Sequence, residues 1–315
     1  MLKIIRELAA LLFVTACVFA YAAFAAPTGE QTAQVPVTTT VTVLGPKFTA
    51  PPPLARQDIN AFSGNTKLNV IDWVSAQGTQ APLQLAIVID NSASQLGVAT
   101  QLRDLAGFIS LQSKTTAVGV FYATNGTVQT ASDFSTEHAA VAKSLRVPFG
   151  LRSGESPSTY VSLSDLIRNH WRASGVRREV LLISSGVDRL DRGPQSPYVA
   201  AAIEDCQKDG VVVHAIYVDG VRFGETLRGQ FAQDNLVKLT DQTGGYNFFE
   251  GVSTPVSFSP FLNQLNMVLH NQYLLTVGMP RSGKNTGQLR PLELKIEQRN
   301  IDLKYPRLVM APAAK

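Results

Sequence analysis

Hydrophobic and polar positions along this chain change rhythm twice. Near the start, Val37, Thr39, Val41 and Val43 alternate with Thr38, Thr40 and Thr42, a β-branched period of two that predicts a strand. Residues 59–62 and 68–74 follow across a turn at Ser63-Gly64-Asn65 and predict a hairpin. No helical period occurs in this part, and residues 78–82 read as a linker.

From Leu83 onward, short apolar runs alternate with stretches of helical period. The runs at 85–89, 117–122, 179–183 and 211–218 carry few or no charges, as expected of strands covered on both faces. Val98, Leu102, Leu105 and Ile109 mark one helix over 95–112, and further helices are predicted at 137–145, 163–171, 197–208, 227–243 and 261–270. Asn125-Gly126 predicts a two-residue hairpin that returns 128–130 as an antiparallel edge strand, and 246–249 is a last short strand. This alternation implies an α/β fold with a doubly wound, mostly parallel sheet and right-handed crossovers.

After His270 the period of two returns at 273–277, 292–297 and 303–308. Neither β set is large enough to bury a core alone. They are therefore expected to pair into one β-sandwich flanking the α/β unit. The expected layout is a signal peptide at 1–25, an amino-terminal β segment at 36–80, the α/β domain at 81–271, and a carboxyl-terminal β segment at 272–311.

Composition narrows the class. The 315 residues are 45% hydrophobic and 17% charged, with a formal net charge of +4. These are globular values, and no Lys/Arg cluster interleaves with aromatics, so nucleic-acid binding gains no support. Residues 1–26 differ in kind: Lys3 and Arg6 precede an apolar stretch, and Ala23-Phe24-Ala25 fits a cleavage site. The expectation is a secreted or periplasmic protein. Anchoring as a lipoprotein at Cys17 is the alternative, set against by the apolar residues that follow it. Cleavage leaves Cys206 as the one cysteine, placed on a helix as a small buried hydrophobe.

The candidate chemistry sits in LAIVIDNSAS at 85–94. Asp90, Ser92 and Ser94 lie where a buried strand hands over to a helix, at the carboxyl end of the sheet, where open parallel sheets place ligand sites. Oxygen side chains converging there suit a hard cation such as Mg²⁺; the alternative is that they cap the next helix. In the usual strand order the first and fourth strands are neighbours, so Asp90 and Ser185 face one another, with the loop at 156–159 leading in. Other motifs are weaker. The stretch at 278–285 approaches a P-loop but has Asn285 where Ser or Thr is needed, and reads as a basic turn. His138, His170, His214 and His270 have no partner at metal spacing, and no Gly-x-Ser-x-Gly elbow occurs. Asp188 and Asp191 could solvate a loop or bind a cation.

The Asp-x-Ser-x-Ser pattern, with 87–94, Asn125-Gly126, 182–188 and 243–246 in this order, resembles a von Willebrand factor A domain. The flanks at 54–74 and 272–308 resemble those of a secreted, acidobacterial-type group of A-domain proteins. The resemblance implies a non-enzymatic module that binds a protein at the carboxyl edge of the sheet, with no small-molecule substrate. It implies a metal-ion-dependent adhesion site at Asp90, Ser92 and Ser94, with Thr159 and Ser185 as further candidate ligands. Two departures stand out. Ser185 occupies the place of the family's usual Asp, and the column of the family's Thr falls on Val161, with Thr159 nearby. One carboxylate is thus missing, which implies either no cofactor or a weakly bound Mg²⁺. The rival expectations are a fully Mg²⁺-dependent adhesion module and, less well supported, a hydrolase using Asp90 and a serine.

Overall fold

The computed structural model describes residues 34–93, 95–150, 157–171, 175–191, 193–220, 226–251, 253–281 and 287–313. The chain divides into Met1–Gln34 and Val35–Lys315. The export signal expected at 1–25, with Cys17, lies outside the described residues, as do Ser94 and the second half of the P-loop-like stretch.

The amino-terminal segment contributes β1 (Gln34–Leu44), β2 (Asn60–Ser63) and β3 (Thr66–Ser75). The alternating part follows: β4 (Leu83–Asp90), α1 (Gln95–Ala99), α2 (Leu102–Ser110), β5 (Thr116–Thr124), β6 (Thr127–Ser135), α3 (His138–Lys143) and α4 (Thr159–Asp165). It continues through β7 (Arg177–Ser184), α5 (Pro197–Asp209), β8 (Val211–Tyr217), α6 (Thr226–Thr243), β9 (Asn247–Phe248) and α7 (Ser259–His270). The last strands are β10 (Gln272–Pro280), β11 (Gln288–Pro291), β12 (Glu293–Lys295), β13 (Asp302–Lys304) and β14 (Leu308–Ala311).

The strand order of the α/β sheet is β6-β5-β4-β7-β8-β9. β4, β5, β7, β8 and β9 run parallel, and β6 returns antiparallel at the edge. The return turns at Asn125 and Gly126, both with positive φ (48° and 83°), as a tight hairpin requires. β4 is buried throughout from Leu85 to Asp90 because helices cover both faces. On one face Leu85, Ile87 and Ile89 pack with Leu105 and Ile109 of α2 and Leu262 and Leu265 of α7. On the other, Ala86 and Val88 pack with Tyr160 and Leu163 of α4, Cys206 of α5 and Leu236 of α6.

In the second sheet the order is β12-β2-β3-β10-β1-β13, and β11 and β14 form a separate two-stranded ribbon. Every amino-terminal strand thus has a carboxyl-terminal neighbour. β3 pairs antiparallel with β10, β2 with β12, and β1 with β13. Val41, Ala61, Leu68, Leu275, Leu294 and Val309 share one core, so the ribbon and the sheet enclose the same apolar space.

Three elements differ from the sequence pattern. The helix expected over 95–112 is broken between α1 and α2. The break adjoins Gln101, whose buried side-chain amide donates to the carbonyls of Pro255 (3.1 Å) and Val256 (2.8 Å). The helix expected from Leu163 begins earlier, at Thr159, because Ser158 caps it, and it widens into a π-turn over Leu166–His170. The strand expected at 303–308 divides into β13 and β14 around Pro306, which has no N–H to give a ladder.

The two parts meet on a buried charge. Glu179 of β7 is fully buried; its Oε1 accepts from Arg177 Nη1 (3.2 Å), and its Oε2 from His214 Nε2 (2.9 Å) and Gln272 Nε2 (3.2 Å). Arg177 Nη1 also donates to Gln272 Oε1, and Gln272 Nε2 reaches Thr42 Oγ1 (3.3 Å). His214 Nδ1 accepts the Tyr246 backbone N–H (3.1 Å), which fixes the tautomer that donates through Nε2. One carboxylate therefore joins β7 and β8 of one sheet to β10 of the other, and Gln272 carries the link on to β1.

Burial alone would raise the Glu179 carboxyl, but the His214 hydrogen bond and the Arg177 charge hold it below its usual value. A carboxyl depressed on folding adds stability above its unfolded pKa of about 4.3 and loses it as pH falls toward its folded value. Glu179→Gln keeps the shape but leaves Arg177 buried without a counter-charge. It should cost about 3–5 kcal/mol in denaturant unfolding at neutral pH. The difference from wild type should shrink below about pH 4. A cost under about 1 kcal/mol would show that the junction does not depend on this charge.

Candidate functional site

The crevice lies at the carboxyl ends of β4 and β7. Their parallel register sets Ile89 beside Ile183, so the next residues, Asp90 and Ser184, come alongside each other. Asp90 is only 3% exposed. Its Oδ1 accepts from the backbone N (2.9 Å) and Oγ (2.6 Å) of Ser92, the local turn that an Asp two residues before a Ser favours. Its Oδ2 accepts from Ser184 Oγ (2.8 Å). Ser184 Oγ in turn accepts the Gly186 N–H (3.0 Å). Position 186 has φ +69°, and a Cβ there would fall 2.4 Å from the Ala232 carbonyl, so the turn closes only on glycine.

The hydroxyl that reaches Asp90 thus belongs to Ser184, one residue before the Ser185 expected from the sequence. Ser185 is buried and spends its Oγ on the Val187 N–H (3.3 Å). It also packs against Gly220 so closely that a Cβ at 220 would lie 2.5 Å from the Ser185 Cβ. A single step along a strand moves a side chain to the opposite face, and the strand register that decides between the two serines is not written in either residue.

Thr159 opens α4 beneath the same edge. It is 2% exposed, and its Oγ1 has no hydrogen-bond partner among the described residues; Ser162 Oγ shares that state. A buried hydroxyl left unpaired is costly, so its retention asks for a reason. Tyr160, the next residue, donates its hydroxyl to the Gly186 carbonyl (2.9 Å). Its phenol is pushed well above its usual range by burial, then by the negative charges of Asp188 and Asp90. Tyr160 therefore lies within the field of two carboxylates.

Asp188 is the second of these, and sequence reasoning left it between solvent and cation. It is buried: Oδ1 accepts the Leu190 N–H (3.0 Å), and Oδ2 accepts from Ser196 Oγ. Ser196 caps α5 by accepting from Tyr198 N (3.1 Å) and Val199 N (3.4 Å). The signal available in the sequence was Ser196-Pro197, a helix start eight residues after an acidic side chain.

Asn91 fixes the rim. Its Nδ2 donates to Thr124 Oγ1 (3.0 Å), while its Oδ1 accepts from Phe149 N (2.9 Å) and Arg146 Nη1 (3.1 Å). A cavity of about 70 Å³ opens here between Asn91, Ser92, Thr124, Gln129 and Phe149. Chemically, the crevice offers hydroxyl oxygens. Ser92 gives its proton to Asp90 and keeps its lone pairs, and Thr159 has an unspent hydroxyl. That donor set fits a hard cation holding several waters, with Asp90 orienting a hydroxyl beside it. Among the described residues no three His, Cys, Asp or Glu side chains gather as a metal cluster. The histidines lie elsewhere: His138 on the Thr116 carbonyl, His170 beside Asp165, His214 at the junction, and His270 on the Asn266 carbonyl.

Fold and crevice together define an α/β sheet with an aspartate–serine cluster where its strand order reverses. No protein-family model matches the sequence, and no curated protein matches it either. Among solved structures, the chain is similar to an aerotolerance-related membrane protein from Bacteroides fragilis, at 14% identity and a TM-score of 0.42, over 59% of this chain and 98% of that one. It is similar to the SpRpn10 VWA domain at 10% identity and a TM-score of 0.41, over 60% and 98%. It is also similar to proximal thread matrix protein 1 of the mussel byssus, solved with a zinc-occupied MIDAS motif, at 13% identity and a TM-score of 0.44, over 64% and 48%.

Two substitutions separate a structural hydroxyl from an unspent one. Ser184→Ala strips one donor from Asp90 Oδ2 and one acceptor from Gly186 N, and should cost about 1–3 kcal/mol in denaturant unfolding. Thr159→Val removes a hydroxyl that has no partner among the described residues, and in chelator should cost nothing or raise the melting temperature. A large loss for Thr159→Val in chelator would mean that its hydroxyl is bonded within the fold.

Proposed function

We propose that this chain is an exported von Willebrand factor A-type module that recognises a protein at the carboxyl edge of its α/β sheet. Its metal-ion-dependent adhesion site is degenerate, with Ser185 in place of a carboxylate. The observation that carries this reading is the Asp90–Ser92–Ser184 cluster at the point where strand order reverses. Ser92, Thr159 and Ser94 would hold a weakly bound Mg²⁺, and Asp90 would orient the Ser92 hydroxyl toward it. The cation would add a positive charge on which an acidic group could rest. A second reading, a fully Mg²⁺-dependent adhesion module, is favoured by Asp188, which restores a second carboxylate to the neighbourhood.

Metal is tested by melting wild type and Thr159→Val in chelator and in millimolar Mg²⁺. A small rise in wild type that Thr159→Val abolishes supports the degenerate site. No rise removes the metal, and tight stoichiometric binding in calorimetry supports the second reading. Recognition is tested by photo-crosslinking in the native host. A photoreactive residue at Phe149 should capture a protein, whereas one at Lys67 in the β2–β3 hairpin should not. Equal capture at both positions, or none at Phe149, would overturn protein recognition at this edge.

A further inference from the structure

Arg146 stands on the rim of the crevice, on the loop after α3. Tyr122 holds its backbone, accepting from Arg146 N (2.6 Å) and donating to Arg146 O (2.7 Å). The guanidinium lies 3.7 Å from the centroid of the Tyr122 ring and 4.2 Å from that of Phe149. Its Nη1 donates to Asn91 Oδ1 (3.1 Å) and Val147 O (3.3 Å), and its Nη2 to Gln129 Oε1 (3.2 Å). All of these acceptors are neutral. Among the described residues no carboxylate pairs with Arg146, and these bonds use no more than three of its five N–H groups.

The residue is half-buried, flanked by exposed Val147 and Phe149. Asp90 does not cancel its charge by contact, because that buried carboxylate accepts from Ser92 and Ser184 instead. A cation oriented by two rings and left, among the described residues, without a counter-charge is built to receive a planar carboxylate through its remaining N–H groups. The exposed Phe149 and Val147 suit an apolar side chain next to that carboxylate. A polyanion such as nucleic acid draws on many cations at once, and Arg146 makes its contacts with neutral groups.

We propose that Arg146 is the charge that recognises an acidic segment of the protein partner, an Asp or Glu beside an apolar residue, without a bound cation. This rests on reading the carboxyl edge as a protein-binding surface, and it names the chemistry of what binds there. In a site short of one carboxylate, a fixed arginine does the work otherwise given to the metal. Such binding persists in chelator and weakens as salt rises.

The test selects a displayed library of random peptides on the full-length protein in chelator, then measures the selected peptides by fluorescence anisotropy. Two variants decide. Arg146→Gln removes the charge. Gln129→Glu leaves the stacked arginine in place and supplies an internal carboxylate at the atom that already accepts from Nη2, so its fold should be as stable as wild type or more so. The expected result is a wild-type pool enriched in Asp and Glu, bound about tenfold more weakly by either variant. Undiminished binding by a folded Gln129→Glu overturns the proposal. So does acidic enrichment that appears only with Mg²⁺, or enrichment of non-acidic peptides that compete with crosslinking at Phe149; these leave recognition at the edge standing. Enrichment of nothing, with or without Mg²⁺, counts against the edge as a binding surface and against Arg146 with it.

Discussion

The fold depends on a carboxylate that no water reaches. Glu179 sits near the start of β7, where Arg177, His214 and Gln272 converge on it from three strands. A buried ion pair is a poor source of stability, since desolvating two charges offsets most of their attraction. Its strength is selectivity: an alternative docking that moves Gln272 away takes from Glu179 and Arg177 their one partner on the second sheet among the described residues. Gln272 makes the demand mutual. It opens β10, bonds to Glu179 and Arg177 with opposite ends of its amide, and still reaches Thr42 of β1. The carboxyl-terminal β segment is thereby held to β1 through its own first residue. Around this point lie further ties, from Tyr246 to Asp302 (2.9 Å) and from Lys304 to Asp241 (2.6 Å).

The same strand carries the crevice. β7 begins at the junction and ends at Ser184, whose hydroxyl completes the bonding of Asp90. Asp90 is already satisfied by Ser92 and Ser184, so the crevice keeps its shape without an ion. This differs from structural metal sites, where ligands are left in conflict until the metal arrives and binding energy becomes folding energy. Among the described residues two buried hydroxyls, those of Thr159 and Ser162, are left over on α4. On the reading proposed above, a cation would modulate an edge that stands without it.

Much of the fold is legible in the sequence because its signals are local. The charge-free run at 85–89, the Asn125-Gly126 turn and the Gly210 stop each state a conformation within a few residues, and β4, the β5–β6 hairpin and α5 follow them. What the sequence hides is set by contacts distant along the chain. The break at Gln101 answers to carbonyls about 150 residues away. The β11–β14 ribbon is two short, weakly alternating segments that gain order only against a common core. In the crevice, Asp90 and Ser92 are readable from their spacing. Ser184 rather than Ser185 is decided by strand register, and Asp188 by a cap on α5. Thr159 is hidden by the helix start: apolar spacing begins at Leu163, whereas the Ser158 cap sets the first turn a full helical turn earlier.

Asn91 shows how the rim acquires order without metal. It lies between the two residues of the aspartate–serine turn and is itself buried, so its amide must find partners. It finds them on both sides, at Thr124 on the end of β5 and at Phe149 and Arg146 on the loop after α3. The end of one central strand thus fixes both walls of the cavity beside Ser92. Surfaces ordered before binding lose less conformational entropy when a partner arrives. An edge ordered by its own amides and hydroxyls can therefore bind with few strong contacts, and the position of each contact is set by the sheet rather than by the ligand.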